Sequence, residues 1–430
     1  MPNHMHNRVR RRNADWDVAV IGAGAAGIAA GLQLREAGLR VRIFEAGNRI
    51  GGRAWTESKS LGVPFDRGCA WFHCADRNPL RLLADTHGVH YSGNPTLAYH
   101  VDDHLLSEDE ARDLRAAVGA DVEAIRRAGL AGVDRSAREY LMAGAYHAAV
   151  RDYLISAING VAPEAYATAE AAADDDTGQD WIVREGIGHL LQQLARPLSI
   201  TTGCAVTAVD ASGPGVQLTT GGGRLRAACV LITVSTGVLA TGAIRFRPSV
   251  PEWKASAIAA VPMGVAEKVG IRFQGDPFPV PPDTYLVVQP GPDTPAFGLH
   301  LCPAGHPIAV GYAGGPLAHW LADATMGEVE AFALDHLAAA FGNAIRTRAV
   351  RATRTNWRHD PLTLGSYSAA RPNGGHAQRH ALAQPLWDRV YYAGEATHVC
   401  DFATAHGAWL SGQRAASQVI EGLTNATAAR

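Results

Sequence analysis

The chain has 430 residues, 47% hydrophobic and 19% charged, with a net charge of −2. That balance is globular, long enough for two or three domains, and gives no support to nucleic-acid or anionic-membrane binding along the whole chain. Base is concentrated only in Arg8, Arg10, Arg11 and Arg12, within residues 1–14, read as a flexible arm with no apolar core of the kind an export signal needs.

Val18, Ala19, Val20 and Ile21 read as a strand buried on both faces. Gly22, Gly24 and Gly27 then place Gly-x-Gly-x-x-Gly at a strand-to-helix junction, with Ala26 inside it. Gly22 allows the tight turn, Gly24 lets a pyrophosphate approach the backbone, and Gly27 lets the helix lie close to the sheet. The helix is expected to run to about Ala37, with Gly38 as a left-handed cap. Its N-terminal amides face the phosphate. A second strand, Val41–Phe44, ends in Glu45, followed by Ala46; an acid here accepts hydrogen bonds from an adenine-side ribose. The alternative is a glycine-rich turn in an unrelated α/β unit. The longest uncharged run, Val18–Leu34, belongs to this motif and falls short of the ~20 residues that span a bilayer.

Gly51-Gly52-Arg53 follows shortly after Glu45. With it the chain resembles the FAD-dependent amine oxidoreductases, the group of monoamine oxidases, polyamine oxidases and histone lysine demethylases. The resemblance implies that Gly52 continues the dinucleotide site and that Arg53 lies near flavin and pyrophosphate. An NAD enzyme has no use for a second phosphate loop here, so FAD is the expected cofactor.

Phe65–His73 resembles the family segment that passes the flavin ring, placing Ala70 and Trp71 at the cofactor. His73 stands where some polyamine oxidases contact the substrate amine; the alternative is a structural histidine. Ser107 and Glu110 read as a capping box, followed by Leu114, Val118, Val122 and Ile125 on one helix face. Asp134 is expected to cap a second helix through Leu141, Ala145, Ala149 and Ile158, ending at Gly160. Asp174, Asp175 and Asp176 read as a solvated acidic loop; the alternative is an acidic stretch that draws cations towards an entrance. The six cysteines form no C-x-x-C pair and no zinc-like spacing, so free thiols and no metal are expected.

A short helix, His189–Ala195, leads to β-like pieces at Ala205–Val209, Val216–Thr219 and Cys229–Val234, read as a hairpin returning to the dinucleotide sheet. The resemblance puts Val206 against the adenine. Ser235 replaces a usual proline in a crossover linker. Lys268 lies in a strand where Val269, Ile271 and Phe273 face one way and Lys268 and Gly270 the other. On residues alone it is an exposed strand lysine; the resemblance implies a lysine aimed at flavin N5 through a water. Thr325–Phe341 reads as an amphipathic helix using Val329, Phe332, Leu337 and Phe341.

Trp357, Asp360-Pro361 and Gly365-Ser366-Tyr367-Ser368 match the family block in which Trp357 and Tyr367 pack beside the flavin. Covalent members carry cysteine at the position of Ser366, so the resemblance implies non-covalent FAD. Tyr391–Thr397, with Gly394 and Glu395, resembles the second FAD fingerprint. Phe402–Ala408, with Thr404, Ala405 and His406, begins a helix facing the flavin, in wording closer to polyamine oxidases and histone demethylases than to monoamine oxidases.

The expected fold is α/β: a Rossmann-type FAD domain from residues 15–92, 181–248 and 371–427, with an inserted α+β substrate domain from 93–180 and 249–370. The expected reaction takes a small amine or polyamine to an imine that hydrolyses to a carbonyl, with O2 reduced to H2O2. Lys268, Tyr367, Trp357, His73 and Thr404 are the expected catalytic group. Rival readings are an L-amino-acid oxidase on the same scaffold, a flavin desaturase, and a catalytically silent amine-binding protein. A cytoplasmic protein is expected, with no nucleic-acid or membrane partner.

Overall fold

The computed structural model describes residues 14–428; the four arginines of the N-terminal arm lie outside them. The glycine-loop strand, Trp16–Ile21, runs parallel to both Val41–Phe44 and the end of Gly223–Ile232, with Ile21 opposite Phe44 and Ile232. Its apolar run is continuous because both faces are covered. Val18 and Val20 pack with Ala26, Ala30 and Leu34 of the helix Ala25–Glu36 and with Ala415, Ala416 and Val419 of the C-terminal helix Ala405–Ala428. Ala19 and Ile21 pack on the other side with Val206, Val209, Val216 and Leu218. The two helices approach closely because Gly412 has no side chain; a Cβ there would stand 2.2 Å from the Ala26 carbonyl oxygen.

Gly223–Ile232 changes partner along its length. Its first half forms an antiparallel hairpin with Val216–Thr220, and its last residues run parallel to Val390–Tyr392. A segment from near the C-terminus thus joins the sheet begun at Trp16. With Val206–Asp210, Arg245–Arg247 and Ile200–Thr201 this makes an eight-stranded sheet.

A second sheet has seven strands in the order Ala349–Arg354, Ala266–Phe273, Ile308–Gly314, Phe297–Leu301, Thr284–Gln289, Thr96–Val101 and His104–Leu105. In Ala266–Phe273 the period-two alternation holds: Val269, Ile271 and Phe273 enter a core with Leu321, Val329 and Leu337 from the helices Gly315–Asp323 and Met326–Phe341. Lys268 and Gly270 face the opposite side, where a Cβ on Gly270 would press on Leu61 and Phe65 at 2.8 and 3.2 Å. The second sheet therefore lies directly against the segment that follows the glycine loops. Among the described residues no helix is long and apolar enough to cross a membrane.

The capping box read at Ser107 and Glu110 forms, and the structure adds a second at Thr325 and Glu328. Ser107 and Glu110 start the helix Glu108–Leu130, and Thr325 and Glu328 start Met326–Phe341. Two sequence expectations need correction. Val122 is 42% exposed rather than on the packed face, which Leu114, Val118 and Ile125 supply. Asp134 caps nothing: its carboxylate accepts from the Gly374 amide, Ser136 caps a 3-10 turn at Ala137–Tyr140, and the helix begins only at Ala148. Long-range contact captured the polar residue that local pattern assigned to a cap. Gly160 does end that helix in the left-handed conformation, but Ile158 is exposed.

Candidate active site

Three glycines of the first loop are glycines for different reasons. Gly22 has φ 105°, and its Cβ would stand 2.5 Å from the Thr233 hydroxyl oxygen; a Cβ on Gly27 would stand 2.0 Å from the Gly22 carbonyl oxygen. Gly24 is extended (φ −80°, ψ −175°), a conformation any residue adopts, and a Cβ there meets nothing closer than 4.0 Å. Neither backbone nor packing requires glycine at 24. What the missing side chain preserves is open space above the start of the helix. Gly51 bridges to Gly24 and donates its amide to the Ala23 carbonyl, so the second loop forms the floor of the same space.

Glu45 is held by that loop. One carboxylate oxygen accepts from the Ala23 amide at 2.8 Å and the other from the Gly47 amide at 2.8 Å. Each oxygen keeps a further lone pair for a ribose hydroxyl. The Cys204 amide donates to the Glu45 carbonyl, which brings Val206 beside it; Ala46 is exposed at the same edge.

Arg53 reaches across to the C-terminal segment, pairing with Glu395 at 2.7 Å and donating to the Ser366 carbonyl at 2.9 Å. Glu395 also accepts from the Ser368 hydroxyl and the Ala403 amide. Burial alone would raise its pKa, but Arg53 and Arg379 hold it below the usual carboxylate range. Gly394, at φ 125°, donates its amide to Ser411 of the C-terminal helix. Thr404 begins that helix: its hydroxyl accepts from the Gly407 amide and donates to the Asp401 carbonyl, leaving the Ala405 and His406 amides in the first turn, which has no intrahelical acceptors. The Thr404 hydroxyl is committed to this cap.

Lys268 is buried. Its ammonium donates to the Asp66 carbonyl at 2.9 Å and to the Gly68 carbonyl, and it lies 4.9 Å over the Tyr312 ring. Burial pushes its pKa down to about 8, with Asp66 opposing; the Asp66 carboxyl is itself pushed up to about 6 by burial. Trp357 is buried and donates its indole N–H to the Arg67 carbonyl at 2.9 Å, so Lys268 and Trp357 grip the same turn, 66–68. Tyr367 follows the Ser366 that Arg53 holds; its hydroxyl donates to the Ala157 carbonyl at 2.7 Å. Trp71 stacks on His300 with centroids 5.0 Å apart, and the preceding Ala70 is buried. His73 is half-exposed, 2.6 Å from Asp180; burial works against its charge, but Asp180 and then Asp176 and Asp174 hold its pKa up.

The sequence profile of flavin containing amine oxidoreductases matches residues 25–420. The chain belongs to that family. Among curated proteins it is similar to probable polyamine oxidase 4 of Arabidopsis thaliana, at 28% identity over 94% of this chain and 86% of that protein. It is also similar to human lysine-specific histone demethylase 2, at 27% identity over 97% of this chain but only 54% of that larger protein. Among solved structures, cyclohexylamine oxidase from Brevibacterium oxydans shares the fold, with a TM-score of 0.79 at 23% identity, covering 95% of this chain and 100% of that one.

The family's cofactor is FAD, and the residues fit it. The space at Gly24, where a Cβ would meet nothing closer than 4.0 Å among the described residues, suits a pyrophosphate, and Glu45 retains acceptor capacity for a ribose. As a member of the family this protein is an FAD-dependent amine oxidase.

Of the sequence-derived residues, the structure joins the two glycine loops and Glu45 through the Ala23 amide and the Gly24–Gly51 bridge, pairs Arg53 with Glu395, and brings Lys268 and Trp357 onto the turn that precedes Ala70 and Trp71. The reading of Lys268 as an exposed strand lysine is excluded by its burial. Sequence reasoning missed Tyr312, Tyr285 and His300. They share the Lys268 face because Lys268 pairs with Tyr312 and Tyr285 with His300 across the sheet, a register no single strand reveals. It also missed Glu170, whose carboxylate takes a bidentate pair from fully buried Arg379, which in turn bonds Ser368. Cys74, distant in sequence from Asp401 and His406, lies close enough to them to share an ion, but the Arg77 guanidinium already bonds Asp401 at 2.9 Å.

Proposed function

We propose that the enzyme oxidises a small amine or polyamine at the carbon next to nitrogen, with FAD held non-covalently and the product imine released to hydrolysis. The observation that carries this is Lys268, buried at turn 66–68 beside Trp357 and on a sheet face that presents Tyr312, Tyr285 and His300. Bound FAD supplies a two-electron acceptor. The chain does the rest. Gly24 leaves room for the pyrophosphate, Gly52 lets the second loop lie against Gly24, Glu45 accepts from the ribose, and Arg53, fixed by Glu395, supplies a cation beside the phosphates. The eight-stranded sheet serves as the FAD-binding part, and the seven-stranded sheet with its helices as the substrate-binding part.

The reacting amine must be neutral, since a proton ties up the lone pair that stabilises the developing cation. Trp71, Tyr312 and Tyr367 supply apolar surface that disfavours an ammonium charge there. A second, distal ammonium is favoured elsewhere: His73 stands among Asp180, Asp176 and Asp174, an acidic rim suited to a diamine or polyamine. The curated relatives named polyamine oxidases support that preference. Ser366 supports non-covalent FAD in two ways. It lacks a thiol, and its hydroxyl accepts from the Ala266 amide at 2.8 Å and donates to the Ala266 carbonyl, a role within the protein itself.

Peroxide release should be compared across monoamines, diamines, polyamines and L-amino acids. The proposal expects turnover of amines, highest with di- or polyamines. Turnover of L-amino acids alone, or of nothing in the panel, contradicts it.

A further inference from the structure

Lys268 has a second side. Beyond turn 66–68 lies a narrow, partly open cavity of about 40 Å³, lined by residues from exposed Arg184 at the surface to buried Lys268. At the mouth stand exposed Arg184 and half-buried Pro303 and His306; the walls are Phe65, Ile308 and Val310; the inner end is Lys268 with Tyr312. We propose that this cavity is the path by which dioxygen reaches the reduced cofactor and hydrogen peroxide leaves, separate from the path taken by the amine.

The walls and the charges carry this assignment. Phe65, Ile308 and Val310 are buried and apolar, a lining suited to a small nonpolar gas. The ionisable groups facing the cavity are Arg184 and His306 at the mouth and Lys268 and Asp66 at the inner end. Two fixed cations against one carboxylate, itself hydrogen-bonded to Thr56, repel a cationic amine and leave an uncharged molecule indifferent. The acidic residues that attract cations, Asp174, Asp176 and Asp180, are grouped around His73 instead. His306 has a buried ring nitrogen, Nε2, with no partner among the described residues, a polar contact for departing peroxide or for water. The balance is simple: one O2 takes the two electrons that the amine left on the cofactor, together with two protons, and leaves as one H2O2.

The proposal rests on the reading of Lys268 as the residue beside the flavin, and its test separates the two. Val310→Phe fills the middle of the cavity and His306→Trp its mouth, outside the sheet; neither residue belongs to the cofactor or amine site. Rapid mixing of the holoenzyme measures reduction by amine without oxygen, then reoxidation at several oxygen concentrations. The second-order reoxidation constant should fall about tenfold or more, as expected when access to a buried site is obstructed. The reductive rate and the bound-flavin spectrum should stay at wild-type values. Crystals pressurised with xenon should show the gas between Phe65 and Val310 in the wild type and not in Val310→Phe. Unchanged reoxidation in the folded variants overturns the path, and so does equal slowing of both half-reactions. If Val310→Phe does not fold, His306→Trp decides. If Lys268→Met slows reoxidation while the blocked variants do not, the path alone is wrong; if Lys268→Met reoxidises normally, the reading of Lys268 fails first.

Discussion

At the scale of single residues, Gly24 is the most telling position, because the protein itself has no need of a glycine there. Gly24→Val should leave the fold intact and weaken FAD retention by at least about tenfold, roughly 1.4 kcal/mol, by occupying the pyrophosphate space. Gly22→Val should destabilise the protein with or without FAD, because its Cβ meets Thr233 at 2.5 Å and its φ is positive. Flavin-to-protein ratios and thermal unfolding of both variants separate the two effects; a fully flavinated Gly24→Val contradicts the site. Lys268 titrates within reach, with a pKa lowered to about 8 by burial. Its ammonium form is lost as pH rises through that value, so reoxidation should slow above about pH 8, and that limb should vanish in Lys268→Met. A folded Lys268→Met with unaltered rates and pH dependence would make Lys268 an ordinary buried lysine. The glycine spacing and Glu45 were legible in the sequence because each lies in one short segment. Lys268, on residues alone an exposed strand lysine, drew its expected role only from the family resemblance. Asp180 beside His73, and His300 under Trp71, were not legible, because each pair joins segments far apart in the chain.

At the scale of elements, local signals reported a helix start well where the capping partners are neighbours, as with Ser107 and Glu110. They failed at Asp134, whose partner is the distant Gly374 amide. The short helix Thr168–Ala173 shows the same limit with greater consequence. Its Glu170 pairs with Arg379, which bonds Ser368, which bonds Glu395, which pairs with Arg53. This buried chain ties the helical insert to the cofactor loops, and nothing in the alanine-rich sequence around Glu170 announces it. Glu170→Gln leaves Arg379 buried without its counter-charge and should cost about 3–5 kcal/mol. The pH dependence has a definite sign. Burial raises the Glu170 pKa, but Arg379 and His376 outweigh it and bring it from 4.5 to about 2. Its stabilisation is therefore full above about 4.5 and lost as pH falls towards 2. Denaturant midpoints of wild type and Glu170→Gln should differ most near neutrality and converge in acid. Equal midpoints at neutral pH contradict the role given to this pair.

At the scale of the whole molecule, the family resemblance, from residue 16 to about 421, already implied an α/β protein with a discontinuous FAD part, and the strand Val390–Tyr392 joins the sheet that starts at Trp16. Which side chains converge between the sheets depended on cross-strand register, beyond the reach of motif order. Because Ser366 offers no thiol, acid precipitation should leave the yellow cofactor in the supernatant; colour retained by the precipitated polypeptide contradicts non-covalent binding. The central claim is that this chain holds FAD where an amine can reduce it. The most direct measurement is to mix the purified holoprotein with a polyamine in the absence of oxygen and follow the flavin absorbance. Bleaching of the oxidised spectrum within the mixing experiment, reversed with peroxide release when oxygen is admitted, is the result predicted. A flavin spectrum unchanged by every amine tried would contradict it.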